Sequence, residues 1–153
     1  MGQVPDEYLR NAILTAPPEQ LQLMLYDGAI RFARRGVEGI NSRNWEEAFN
    51  GFSRAQKIII ELLNSLNYEV DKDLCTRMAG LYNFIYRKLV EASTNRDVAV
   101  ANQALEILEY QRETWVMLID KLREEQATQG ASSGEWQGGA PADVTYGPLS
   151  VQG

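Results

Sequence analysis

The chain contains no histidine, a single cysteine and no long apolar run, and each absence removes a class of function. Without histidine there is no imidazole general base, no Ser-His or Cys-His nucleophile pair, no His-containing zinc site and no histidine phosphotransfer. Cys75 has no second cysteine to pair with, which fits a reducing compartment. No stretch approaches the ~20 apolar residues that span a bilayer, so membrane insertion is not expected. Asp6 and Glu7 stand where a secretory signal would be cationic, and Asp6 breaks the myristoylation pattern after Met1-Gly2. A cytoplasmic location is the simplest expectation. An excess of positive charge is also missing: the net charge is −6, which argues against a nucleic-acid partner.

What is present is helical. At 153 residues and 44% hydrophobic composition the chain is long enough to bury a real core, about two-thirds of its unfolded surface at this size. Two prolines, Pro17 and Pro18, open the most informative stretch and suit a first helical turn, where N–H groups lack partners. Leu21, Met24, Leu25, Gly28, Ala29 and Phe32 follow on one side, with Leu23, Tyr26 and Ile30 beside them. So broad an apolar surface has more than one neighbour to satisfy.

The spacing predicts a first long helix over 18–40, after a short one around Tyr8 to Leu14. A second helix carries Trp45, Phe49, Phe52, Ile59, Leu62, Leu63 and Leu66, with Asn44 and Glu47 at capping-box spacing. A third repeats Leu74, Met78, Leu81, Tyr82, Ile85, Leu89 and Ala92. The last has a seam at Ala101, Leu105, Leu108, Arg112, Trp115, Ile119 and Leu122, alternating steps of four and three. Short connections favour antiparallel neighbours, so the fold expected is all-α: an up-down four-helix bundle over 1–126. Residues 127–153 are rich in Gly, Ser and Pro and contain no Lys or Arg, and they read as a disordered tail.

Little here supports catalysis. Glu106, Glu109 and Glu113 share a helix face but lack the histidines of a carboxylate metal site, so a solvated stripe is favoured and neither metal nor cofactor is expected. Arg31, Arg34 and Arg35 invite an anion, yet Glu38 lies within helical reach and favours an exposed, partly paired face. The glycines lack phosphate-loop spacing. Excess apolar surface remains: Ile58, Ile60, Phe84, Tyr86, Val90, Ile107, Tyr110, Val116 and Met117 lie off the main stripes. A flattened bundle could absorb them, or a groove could offer them to apolar helical segments of another protein.

An ordered set of motifs resembles the flagellar secretion chaperones of the FliS type. It comprises Thr15-Ala16-Pro17-Pro18-Glu19-Gln20-Leu21, Met24-Leu25-Tyr26-Asp27-Gly28-Ala29, Ala55-Gln56-Lys57-Ile58-Ile59, Leu81-Tyr82 and Arg112-Glu113-Thr114-Trp115. The resemblance implies a non-enzymatic bundle whose apolar grooves take the C-terminal segment of flagellin, prevent premature polymerisation and aid delivery to a component of the flagellar export apparatus. It implies no nucleotide requirement. The groove candidates are Leu21, Leu25, Tyr26, Ile59, Leu63, Tyr82 and Leu89, with Asp27 serving a cargo backbone or a local arginine. In keeping with the family, the segment around Tyr8 and Leu9 covers the groove when cargo is absent. The readings weighed against it are a small all-helical enzyme and an adaptor bundle binding another helical partner.

Overall fold

The computed structural model describes residues 18–137, with side chains through residue 130. Four helices make up this part: α1 (Pro18–Asn41), α2 (Trp45–Asn64), α3 (Lys72–Asn95) and α4 (Val98–Gln137). The expected short helix around Tyr8 to Leu14 lies outside the described residues, as do Tyr8 and Leu9 themselves.

Local chemistry explains the helix ends. The Asn44 side chain accepts from the Glu47 N–H at 3.1 Å, and Asp71 accepts from the Leu74 N–H at 3.1 Å. Asp97 accepts from the N–H groups of Ala99 and Val100, starting α4 directly after α3. Each carboxyl or amide oxygen satisfies donors that the first helical turn leaves without partners. Arg43 and Arg96 close the turns after α1 and α3 with positive φ of 59° and 53°.

The four helices form an antiparallel ring in which α1 packs on α2 and α4, and α3 packs on the same two. Contacts between α1 and α4 run in opposite directions along the chain: Glu19 meets Trp115, Asp27 meets Arg112 and Arg34 meets Glu109. The tightest pair is α1 with α2. A Cβ on Gly51 would stand 2.5 Å from the Gly36 nitrogen and 2.7 Å from the Phe32 carbonyl oxygen, so only glycine permits this approach. Gly36 in turn makes room for the Phe52 ring, which a Cβ would meet at 2.7 Å. Tyr26, Ala29, Phe52, Ile59, Leu62, Tyr82, Ile85, Leu89 and Leu108 fill the centre.

The last helix runs further than its composition suggested. It continues through Gln137, into the segment expected to be disordered from residue 127. Residues 120–130 are all exposed, so this extension has no packing partner among the described residues. Its helical state rests on backbone hydrogen bonding and on good helix formers such as Lys121, Arg123, Glu124, Glu125 and Ala127. The Gly/Ser content that signalled a tail begins in earnest only at Gly130. Residues 138–153 lie outside the described part.

Candidate functional site

The seam positions on α4 show where the bundle stops being closed. Ala101, Leu105 and Leu108 are buried, Trp115 is half-buried, Ile119 is buried again, and Leu122, one turn on, is 41% exposed. Antiparallel packing brings the start of α1, the end of α2 and the start of α3 towards this same stretch of α4. The side chains that collect at this end are apolar and incompletely covered. Leu21, Met24 and Leu25 of α1 and Leu63 and Leu66 of α2 are half-buried. Leu74 of α3 is 49% exposed, and Met117 and Leu118 of α4 are also open.

Beneath this end lies a small polar layer. The hydroxyls of Tyr26 (α1) and Tyr82 (α3) are 2.6 Å apart across the centre of the bundle, and Gln22 Nε2 donates to the Tyr82 oxygen at 3.3 Å. Both rings are buried, and burial pushes the Tyr82 phenol well above its ordinary pKa, so it stays protonated. Trp115 Nε1 donates to the Glu19 carbonyl oxygen at 2.7 Å, using one of the resources of an amphipathic ring: an apolar body with a polar tip. Arg112, the one charged residue of the seam, donates from Nε to Asp27 Oδ1. That bond, together with the aspartate charge, holds the guanidinium above its already high ordinary pKa.

The sequence-derived candidates therefore separate into two groups. Tyr26, Ile59, Tyr82 and Leu89 are 0–1% exposed and belong to the core of the free bundle. Leu21, Leu25, Asp27 and Leu63 are half-buried, and Asp27 serves a local arginine. Periodicity could not separate these groups, because a core stripe and a groove lining share the same spacing. The off-stripe surplus is largely unabsorbed: Ile60, Phe84, Val90, Tyr110 and Met117 are exposed, the last two by 70% and 66%. Leu118 and Leu122 were not among the candidates for binding. For Leu122 the signal was the last seam position reaching past the start of α1; Leu118 lies off the seam.

No catalytic arrangement is found among the described residues, and no three His, Cys, Asp or Glu side chains are grouped to hold a metal ion. Cys75 is buried, with its thiol 3.3 Å from the Asn67 carbonyl oxygen. The glutamate stripe is only partly solvated, since Glu109 pairs with Arg34 and Glu113 lies 3.4 Å from Arg112. No described helix is long and apolar enough to cross a membrane.

The model of the family described as flagellar protein FliS matches residues 1–122. The chain belongs to the FliS family. Among curated FliS relatives, the flagellar secretion chaperone of Bacillus subtilis is 30% identical over 123 residues, which cover 80% of this chain and 91% of that protein. The flagellar secretion chaperone of Campylobacter jejuni is 28% identical, over 71% of this chain and 84% of its own. A solved structure titled as a flagellar chaperone from bacteria superposes with a TM-score of 0.64 at 22% identity, covering 75% of this chain and 94% of that one. This last likeness supports the fold. The FliS match stops at residue 122, where the seam of α4 ends, and leaves the helical extension outside.

Proposed function

We propose that this chain is an export chaperone that holds the C-terminal segment of flagellin in the bacterial cytosol, keeps it from polymerising early and hands it to a component of the flagellar export apparatus. The reading is supported by the family and by one physical observation: apolar side chains left open by the bundle at one end and along its outer faces. Leu25, Leu63, Leu74, Leu118 and Leu122 are at least partly solvent-exposed in the free protein. Covering them with an apolar helical segment releases water at about 25 cal/mol per Å² buried. A disordered segment that folds as it binds loses conformational entropy, and that burial offsets the loss. No turnover is involved, and no residue needs to act as an acid, base or nucleophile.

Within this reading, Leu21, Leu25 and Leu63 meet cargo directly, whereas Tyr26, Ile59, Tyr82 and Leu89 form the floor that holds the helices in register. Binding belongs to residues 1–126. The test is titration of the full chain with a peptide of the organism's own flagellin C-terminus, followed by calorimetry and gel filtration. A stable complex is expected, and truncation after Gln126 should leave its affinity unchanged. No complex with the full chain would reject the chaperone reading, and loss of binding on truncation would move the site into α4's extension.

A further inference from the structure

A second surface lies on the outer side of α1 and α2 and is cationic in a chain of net charge −6. Its sequence signature is Arg31, Phe32, Arg34 and Arg35, for which Glu38 is the obvious helical partner. The structure pairs them otherwise. Arg34 reaches across to Glu109 on α4, and no carboxylate among the described residues comes within ion-pair distance of Arg31, Arg35 or Arg54. These three guanidiniums gather instead around one ring: their Cζ atoms lie 5.0, 5.6 and 5.4 Å from the Phe32 centroid.

Close helix approach makes this possible. Gly51 lets α2 come against the Phe32 carbonyl, which carries Arg54, almost one turn further along α2, to the same ring. A guanidinium held near an aromatic ring loses little further freedom when its N–H edge binds an oxyanion. Three unpaired cations around one ring also repel each other, and an anion removes that repulsion. Beside them, Phe32, Arg35, Glu47, Asn50, Gly51 and Arg54 line a dimple of about 120 Å³.

We propose that the Phe32 face is a docking surface for an acidic peptide segment of a partner protein, with carboxylates taken by Arg31, Arg35 and Arg54. The dimensions decide between anion classes. The dimple admits one small group, Glu47 lines it, and Arg31 and Arg35 share the neighbouring cleft with Asp27, Glu38, Glu109 and Glu113. An extended phosphate array would meet those carboxylates and the overall negative charge, whereas a peptide carrying a few Asp or Glu side chains need not. This surface is separate from the open apolar end and does not depend on flagellin binding.

The test uses the full chain, a fluorescein-labelled oligoglutamate peptide and a labelled DNA duplex, followed by fluorescence anisotropy at low and physiological salt. The chain should bind the peptide, and the affinity should fall about tenfold in Arg31→Glu/Arg54→Glu and decline with added salt. Both side chains are exposed, so the unfolding midpoint is expected to hold. Should that variant fail to fold, Arg31→Gln/Arg54→Gln removes the charges without reversing them and must weaken binding in the same direction. Absence of peptide binding, or equal binding by a folded variant, overturns the proposal. Tighter binding of the duplex through the same arginines overturns it in favour of nucleic acid.

Discussion

The hydroxyl of Tyr82 sits in the middle of the bundle with two partners, Tyr26 and Gln22, and no exposed surface. Removing it by Tyr82→Phe leaves the Tyr26 hydroxyl without its closest partner, so a loss of about 1–2 kcal/mol is expected in urea unfolding. The pH dependence has a definite sign. Below pH about 10 the phenol is protonated in both native and unfolded chains, and its contribution is complete. As pH rises above that value the unfolded chain releases the proton while the native chain keeps it. Stability then falls, by up to about 1.4 kcal/mol per pH unit from this group alone. Unfolding followed between pH 9 and pH 11 should show a shallower decline in Tyr82→Phe than in the parent chain, with the pH range set about the ordinary tyrosine value.

At the scale of elements, the two tight turns use the same backbone conformation for different returns. Arg43 and Arg96 both hold positive φ, which costs a non-glycine residue about 1 kcal/mol. Arg96 offsets that cost, because its guanidinium stacks 3.9 Å from the Trp45 ring centroid and ties the end of α3 to the start of α2. Arg43 is exposed and has no such contact among the described residues. Arg43→Gly is therefore expected to raise stability by up to about 1 kcal/mol, and Arg96→Gly to leave it unchanged or lower it. Thermal melts of the two variants compare them directly; a gain from Arg96→Gly equal to that from Arg43→Gly would remove any role for the Trp45 stack. The turn after Ile40 was legible from Asn41 to Asn44, and so was the Asn44 cap. The Arg96 contact was not, because Trp45 and Arg96 are brought together only by the packing of α2 on α3.

At the scale of the whole molecule, the useful contrast is between side chains that close the bundle and side chains it leaves open. Ile59→Ala removes a side chain with no exposed surface and should destabilise the free protein by about 2–5 kcal/mol. Leu25→Asp places a charge at a half-buried position near the open end, so its main expected effect is on cargo affinity, lowered at least about tenfold, with a smaller change in the unfolding midpoint. Calorimetry with the flagellin peptide and denaturant unfolding separate the two. If Leu25→Asp unfolds the protein as Ile59→Ala does, Leu25 belongs to the core and the groove lies elsewhere.

Helical periodicity, capping residues and short connections were enough to determine the four helices and their antiparallel order, though not the end of α4, because those depend on side-chain spacing and on backbone donors close in sequence. The motifs from Thr15 to Trp115 carried the family. Depth belonged to the tertiary structure. Tyr26 and Leu25 are neighbours on one apolar surface, yet one is sealed against Tyr82 and the other half-open, since exposure depends on what the other three helices cover. The same holds for the arginines of α1. Their sequence neighbour Glu38 takes none of them, and the approach of α2 through Gly51 assembled an unpaired cationic face that no single helix contains.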